Sequence, residues 1–167
     1  MDKDKYEVVL IGVDKKGKWS DARLLGLFDT DQSDVSIDVV FPVLHGPFGE
    51  DGTVQGLFKL ANVPFVGAGV LGSSVGMDKD VMKRLLRDAE IPIADFLTVK
   101  EQTIPTYADV VHRLGSPFFV KPANLGSSVG VNKVKNEQAF HDAMREAFSY
   151  DRKVLIEENI IGREIEC

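Results

Sequence analysis

The sequence predicts an α/β protein in which a partial doubly wound amino-terminal unit is followed by a separate α+β unit. Two observations lead to this fold class. Short apolar runs alternate with segments of helical periodicity along the 167 residues, which is the pattern of helices packed on a sheet. The chain is also long enough to bury one large core or two small ones. We therefore predict a first unit over 1–76, a connecting helix over 77–93 and the second unit over 94–167.

The elements of the first unit are predicted from apolar runs and one helical stripe. Strands are predicted over 7–13, 35–44 and 64–66, where apolar residues run between polar or glycine-containing turns. Residues 19–33 are mixed and rich in aspartate, so we predict mostly loop there. The short helix predicted over 52–61 has its apolar residues on one face: Val54, Leu57, Phe58 and Ala61.

The later elements alternate between helices and strands in the same way. Thr106 and Asn136 each precede a helical stripe, and we predict that they cap it by accepting hydrogen bonds from the first free amides. Asp78, near the start of the connecting helix, suits the positive end of the helix dipole. The predicted helices span 77–89, 106–114 and 136–149, and the predicted strands span 95–99, 118–120, 129–134, 154–157 and 163–167.

Composition narrows the class of protein. The net charge of −6 argues against a surface for nucleic acid or anionic membranes. No apolar stretch reaches transmembrane length, and the first residues are too charged for a signal peptide. The single cysteine, Cys167, excludes an internal disulfide framework and fits a reducing, cytoplasmic location. Both ends fall at predicted strands, so we expect the chain to be a portion of a longer one.

Residues 118–134 carry the strongest functional signal. An apolar run ends on Lys121 and Pro122, a small-residue loop follows at Gly126–Gly130, and a second strand-like run returns. Glycines let a phosphate approach the backbone amides, serines add hydroxyl donors, and a lysine supplies a compact positive charge. We interpret this as a phosphate cradle on a β-hairpin. It is not a P-loop, because the G-x-x-x-x-G-K-[ST] pattern is absent.

The letters LGSSVG occur twice, at 71–76 and at 125–130. A lysine follows each copy three residues later. The flanks differ, because the first copy leads into a predicted helix and the second into a predicted strand. Six matching small residues are weak evidence for duplication, so we predict only one phosphate cradle.

A second candidate site is the loop at 45–52, which follows a predicted buried strand. It contains three glycines, His45, Glu50 and Asp51. In open α/β sheets, ligands bind beyond the carboxyl ends of strands. The alternative is a turn in which Glu50 and Asp51 merely cap the next helix.

Further candidates lie at the ends of other elements. Lys79 stands in the first turn of a helix, where its charge opposes the dipole, and a solvated surface lysine is the alternative. Glu157, Glu158 and Glu164 follow an apolar strand and could bind ribose hydroxyls or an amine, although a solvated acidic rim is equally compatible with the pattern. The three histidines show no metal-ligand spacing.

Together these segments resemble the D-alanine–D-alanine ligase family of ATP-grasp enzymes. The resemblance rests on HGPFGEDGTVQG at 45–56, MDKD at 77–80, FVKPANLGSSVGV at 119–131 and LIEENIIGREIEC at 155–167, in the family's order. It implies that the second unit is the ATP-grasp central unit, with the carboxyl-terminal ATP-grasp part missing from this chain. It also implies ATP-dependent joining of two D-alanine molecules through an acyl phosphate, for peptidoglycan precursors.

The resemblance assigns roles to single residues. ATP phosphates would be neutralised by Lys79 and Lys121, and the first D-alanine pocket would be shaped by His45 and Glu50. The cradle residues Gly126, Ser127, Ser128 and Val129 would close over the phosphates, and Ser127 would also orient the substrate. The remaining nucleotide contacts, to adenine and ribose, would come from Glu157, Glu158, Ile160 and Glu164.

The resemblance also implies what this chain lacks. No acid before Glu7 matches the one that holds the first D-alanine's ammonium, and the segment after Trp19 is shorter than usual. ATP and Mg²⁺ are the implied cofactors, with the magnesium ligands expected in the missing carboxyl-terminal part. We therefore expect an incomplete, inactive portion of a homodimeric enzyme. Two alternatives stay open: another ATP-grasp carboxylate–amine ligase, including a D-alanine–D-lactate ligase, and a non-catalytic nucleotide-binding module.

Overall fold

The computed structural model describes residues 2–14, 17–20, 37–163 and 165. In chain order the helices are α1 (Thr53–Leu60), α2 (Val70–Met77), α3 (Lys79–Asp88), α4 (Tyr107–Leu114) and α5 (Glu137–Tyr150). The strands are β1 (Phe96–Lys100), β2 (Phe118–Pro122), β3 (Asn132–Val134) and β4 (Lys153–Glu158). This mixture of helices and strands confirms the predicted α/β class.

The four strands form one antiparallel sheet in the order β1-β4-β2-β3. Because side chains alternate between the two faces of a strand, one face of the sheet carries Phe118, Val120, Val154 and Ile156. These residues are fully buried and form the main core with α4 and α5. The buried face of α5 is the predicted one: Phe140, Ala143, Met144 and Ala147.

Aromatic packing fixes the helices to this face of the sheet. The rings of Tyr107, Phe118 and Phe140 lie with centroids 5.9 to 6.1 Å apart. Burial of each phenylalanine contributes about 1.5–3 kcal/mol. The core therefore joins one residue from α4, one from β2 and one from α5.

The two predicted caps are confirmed. Thr106 accepts from the amide of Asp109, whose carboxylate in turn accepts from the Thr106 amide, so the pair forms a capping box at the start of α4. Asn136 accepts from the amide of Ala139 at 2.9 Å and begins α5. Both helices start one residue after the cap that the sequence indicated.

A second, smaller core lies around Phe58 of α1. Its ring contacts the rings of Trp19 and Phe65, at centroid distances of 6.4 and 5.5 Å. The predicted strands over 7–13, 35–44 and 64–66 each contribute one isolated bridge residue instead of a continuous ladder: Val13 bridges Trp19, and Val40 bridges Phe65 in parallel. Most of the predicted loop over 19–33 lies outside the described residues.

The predicted helix over 77–89 is confirmed as α3 (Lys79–Asp88), which starts two residues later than predicted, whereas α2 before it was not predicted. The chain forms α2 and α3, separated at Asp78, whose backbone is extended with φ −81° and ψ 99°. The Asp78 carboxylate accepts from the amides of Asp80 and Val81, each at 3.1 Å. A side chain that competes for these amides ends one helix and caps the next. The first LGSSVG copy lies within α2 itself.

Two predicted strands also differ from the structure. The return strand begins at Asn132 and not at Val129, because Ser127, Ser128 and Gly130 adopt φ values of 52°, 59° and 68°. These left-handed backbones make a turn, which cannot continue a strand. In the strand predicted over 163–167, the described residues 163 and 165 are not in a strand, and the other three, including Glu164 and Cys167, lie outside the described residues.

Among the described residues, every helix is too short or too polar to cross a lipid bilayer.

Candidate functional site

The face of the sheet opposite the main core carries charge. Lys121 on β2 alternates with the buried Val120 and Pro122, so it points away from α4 and α5. Phe119 lies directly opposite Glu157 in the β2–β4 register, which makes Lys121 a diagonal neighbour of that glutamate. The Lys121 ammonium forms an ion pair with Oε2 of Glu157.

Helix α3 lies across this charged face and is held there by polar contacts. Thr98 of β1 donates to Asp80 at 2.6 Å. Lys153 of β4 donates to both carboxylate oxygens of Asp78, at 2.7 and 2.5 Å. These contacts join α3 to two strands and set which of its side chains face the sheet. Asp80 also accepts from Arg84 on the next turn, at 2.6 Å.

This placement brings two further lysines to the site. The Lys79 ammonium donates to the carbonyls of Leu125 and Ala123, and the Lys79 amide donates to Ala123 at 3.0 Å. Lys83, one turn later, forms an ion pair with Oε1 of Glu157. The structure therefore brings together Lys79, Lys121 and Glu157, which the sequence singled out. It adds Lys83, which sequence reasoning missed.

The missed lysine had a signal in the sequence. Lys79 and Lys83 are four residues apart, so they share one face of a helix. Two lysines on one face near a glycine-rich loop would have indicated a joint role. The register that puts this face on β4 is a tertiary feature, however, and no local pattern gives it.

The lysine cluster is defined as Lys79, Lys83 and Lys121, of which Lys83 and Lys121 pair with Glu157. Burial, then the Lys83 and Lys79 ammoniums, lower the pKa of Lys121 to about 8. Burial also lowers the pKa of Lys79 and of Lys83. Lys83 and Lys121 share the Glu157 carboxylate. Other carboxylates act on the remaining lysines: Glu158 and Asp95 on Lys83, and Asp151 and Asp78 on Lys79. Because Lys121 shares its carboxylate and is repelled by the other two lysines, an anion beside Lys121 would be stabilised.

The turn beside the cluster has a demanding backbone. Ser127 and Ser128 adopt the left-handed region, at a cost on the order of 1–3 kcal/mol each. Gly130 has φ 68°, and a Cβ there would lie 2.9 Å from Cγ of Pro122 and 3.0 Å from Cδ2 of Tyr150. Ser127, Ser128 and Val129 are exposed at the surface of this turn. Phosphate contact by the predicted cradle, including Gly126, stays a prediction.

The loop at 45–52 contains residues that stabilise its own backbone and residues whose side chains are exposed to solvent. The Asp51 carboxylate accepts from the amides of Phe48 and Thr53 at 2.8 and 2.9 Å. Burial alone would raise the pKa of Asp51, but these hydrogen bonds outweigh it and lower that pKa. Asp51 therefore shapes the loop and the first turn of α1, as the capping alternative expected of it.

His45 and Glu50 are open to solvent. Their side chains are 84% and 48% exposed, with Nδ1 of His45 3.9 Å from Oε1 of Glu50. The Gly46 amide donates to Oε2 of Glu50. Both side chains are therefore free to meet a small polar ligand at this loop.

The residues after β4 occupy different environments. Glu158 accepts from the amide of Asp95 at 2.7 Å, which closes the end of the β1–β4 pair. Ile160 is exposed. Glu164 lies outside the described residues. Within the described part of the chain, no three or more histidine, cysteine, aspartate or glutamate side chains are grouped to hold a metal ion.

Comparison with known proteins places the chain in a family. The family model for the D-ala D-ala ligase N-terminus matches residues 24–68, and that for the D-ala D-ala ligase C-terminus matches residues 85–167. A D-alanine–D-alanine ligase of Solibacter usitatus is 53% identical over all of this chain and 50% of its own length. One from Oceanobacillus iheyensis is 42% identical over all of this chain and 55% of its own length.

Solved structures agree with the sequence comparisons. The D-alanine-D-alanine ligase from Coxiella burnetii is 40% identical with a TM-score of 0.76, covering 92% of this chain and 44% of the other. The VanG D-Ala:D-Ser ligase from Enterococcus faecalis is 30% identical with a TM-score of 0.81, covering 97% of this chain and 55% of the other. The chain thus spans about half the length of the relatives that it matches. With both family models matched in order, the chain belongs to the D-alanine–D-alanine ligase family.

Proposed function

We propose that this chain forms the ATP-phosphate site of a ligase that joins two D-alanine molecules into D-alanyl-D-alanine for peptidoglycan precursors. The observation that carries the proposal is the lysine cluster: Lys83 and Lys121 pair with the two oxygens of Glu157, and the Lys79 ammonium donates to the Leu125 carbonyl beside the glycine-serine turn. In this scheme ATP phosphorylates the carboxylate of the first D-alanine, and the amine of the second displaces the phosphate.

The cluster suits phosphoryl transfer for a physical reason. Catalysis of this reaction depends mainly on positioning the phosphates and on neutralising their negative charge. Lysines taken out of water interact more strongly with an anion than exposed ones do, because less solvent screens them. An ATP phosphate bound between Lys79 and Lys121 would hold both in the charged form. The exposed turn at Ser127–Val129 lies next in the chain and would contribute hydroxyl and amide donors.

The other nucleotide contacts belong to the same proposal. Glu157, Glu158, Ile160 and Glu164 would line the adenine and ribose side. Both oxygens of Glu157 already engage lysines, yet each keeps a lone pair that could accept from an adenine amine.

The amino-acid pocket would be shaped by other residues. His45 and Glu50 would contribute from the loop at 45–52, where both are open to solvent. Ser127 would face the amino-acid side as well as the phosphates, because its side chain is exposed on the turn beside the cluster.

Several finer properties are proposed on the family resemblance. Magnesium is proposed as the second cofactor, a homodimer as the assembly and the cytoplasm as the location; the single cysteine fits a reducing compartment. We also propose the division into a first unit at 1–76, a connecting segment at 77–93 and an ATP-grasp unit at 94–167.

A second candidate is a related ligase with a different second substrate. It is favoured by the structural match to a protein described as a D-Ala:D-Ser ligase, at a TM-score of 0.81. The lysine cluster would serve both reactions equally, because both begin with ATP. Product analysis of the full-length ligase with D-alanine, D-serine and D-lactate as competing second substrates separates the candidates.

Titration calorimetry with ATP tests the proposal. Lys121→Met removes the central ammonium and keeps a stem of similar length. ATP affinity should fall by about 1.5–3 kcal/mol, or roughly 10- to 150-fold, the range for a hydrogen bond to a charged group. Lys135→Met, at an exposed lysine just beyond β3, is the matched control and should bind ATP as the parent does. Equal affinities for all three proteins would refute the proposal.

A further inference from the structure

Glu157 bridges two lysines from different elements. Its Oε1 contacts the ammonium of Lys83 on α3, and its Oε2 contacts the ammonium of Lys121 on β2. The Lys83 and Glu157 side chains are only 7% and 12% exposed, against 22% for Lys121. Buried charges persist only when they are paired in good geometry, so this bridge has a defined arrangement.

Lys83 is held in place by contacts other than this bridge. Its ammonium lies 5.2 Å from the centroid of the Phe96 ring, a cation–π distance. Helix α3 is fixed independently by the bonds from Thr98 to Asp80 and from Lys153 to Asp78. Lys83 can therefore act as a fixed point against which the Glu157 carboxylate is oriented.

We propose that Lys83 is a positioning residue for the phosphate site. Lys83 holds Glu157 in place, and Glu157 in turn orients the Lys121 ammonium and keeps that ammonium available to an anion. Lys83 is the least exposed member of the cluster, so it acts through Glu157 and not by touching the ligand. The identity of that ligand, a nucleotide phosphate, rests on the proposed function. The coupling between Lys83 and Lys121 does not.

The charge balance explains why Lys83 matters. While it is present, Glu157 is shared, and Lys121 keeps unsatisfied positive charge that a ligand can satisfy. Without it, Glu157 would pair with Lys121 alone and would neutralise it. The other charged groups that act on these lysines are Lys79 on Lys121, Glu158 and Asp95 on Lys83, and Asp78 and Asp151 on Lys79. The neighbouring Asp80 and Lys153 pair with each other and with Arg84 and Asp78.

The coupling can be measured without any nucleotide. Competitive labelling of lysines across pH, read by mass spectrometry, gives the pKa of Lys121, which is about 8 in the parent protein. In Lys83→Met this pKa should rise by about one unit or more toward the ordinary value, since a repelling charge is lost and Glu157 is no longer shared. Lys83→Arg keeps the charge and should keep the low pKa.

The matched control is Arg84→Met, which removes a positive charge from the same helix. Arg84 is 54% exposed and pairs with Asp80, not with Glu157, so its loss should leave the pKa of Lys121 nearly unchanged. A Lys121 pKa that stays at about 8 in Lys83→Met, or that shifts equally in Arg84→Met, overturns the proposal. If Lys83→Met does not fold, Lys83→Gln is read by the same criteria.

The functional readout is ATP affinity in the same variants. Lys83→Met should weaken ATP binding about tenfold, by analogy with the lower end of the losses seen when a residue that supports a metal ligand is removed. Lys83→Arg should recover most of this loss. If ATP affinity in Lys83→Met equals that of the parent, Lys83 does not position the site. A parent that binds no ATP, with the labelling result as expected, refutes the proposed function and leaves the Lys83–Lys121 coupling supported.

Discussion

Gly130 offers a test of how the turn beside the lysine cluster is built. Its φ of 68° lies in the left-handed region, where an alanine costs about 1–2 kcal/mol. A Cβ would also meet Cγ of Pro122 at 2.9 Å and Cδ2 of Tyr150 at 3.0 Å. Pro122 is fully buried and cannot move away, whereas Tyr150 is half exposed and can. Crowding against the proline ring adds about 1–2 kcal/mol, within the range for overpacking.

We therefore expect Gly130→Ala to lower the free energy of unfolding by about 2–4 kcal/mol. With a urea slope of about 2 kcal/mol per molar, the midpoint of urea unfolding should fall by about 1–2 M. Far-UV circular dichroism during urea titration measures this shift.

Gly126→Ala is the matched control in the same turn. A Cβ at Gly126 meets no atom within 4 Å, and its φ is not in the left-handed region. Its free energy of unfolding should change by less than about 1 kcal/mol, because alanine in a compatible conformation is tolerated or slightly stabilising. Equal midpoints for the two variants would show that the turn does not need a glycine at 130.

Two further predictions concern the charged groups. Because of Lys121, the free energy of unfolding should rise from pH 8 to pH 10.5, by up to about 3 kcal/mol. The pKa of Lys121 is about 8 in the folded chain and 10.5 in the unfolded chain. Between these values the unfolded chain binds more protons than the folded chain, so raising the pH favours the folded state. Urea titrations of the parent and Lys121→Met across this range check it, and a difference between them that does not grow with pH contradicts it. In steady-state kinetics of the full-length ligase, His45→Ala and Glu50→Gln should raise the KM for D-alanine and leave that for ATP nearly unchanged, since we propose that their loop shapes the amino-acid pocket. A raised KM for ATP alone would assign the loop to the nucleotide.

Most helices and strands of the predicted second unit could be predicted from the sequence, because short-range residue patterns determine them. The buried face of α5 and the caps at Thr106 and Asn136 are set by spacing within a few residues. The strands of the predicted first unit were predicted less accurately, because a strand forms only beside partner strands that its own sequence pattern does not specify. Among the described residues, Val40 and Phe65 form the one parallel bridge of that unit.

The repeated LGSSVG segment shows the limit of local sequence. One copy is helical within α2, and the other forms the turn before β3. Glycine and serine have weak preferences, so the surroundings decide. In α2, Ser74 donates to the carbonyl of Asp51 at 2.8 Å. In the turn, Gly130 packs on Pro122 with a backbone that no helix contains.

The candidate site shows where sequence reasoning fails for a functional reason. Stability alone disfavours a lysine in the first turn of a helix, where Lys79 lies, and a partly buried lysine whose carboxylate is shared. Lys121 is such a lysine, because Glu157 also pairs with Lys83 and because burial and both other lysines lower the pKa of Lys121. The neighbouring Asp78–Lys153 pair anchors the same helix. An external anion at Lys121 would therefore complete a charge pairing that the folded chain leaves open, which is why local stability rules do not predict this arrangement.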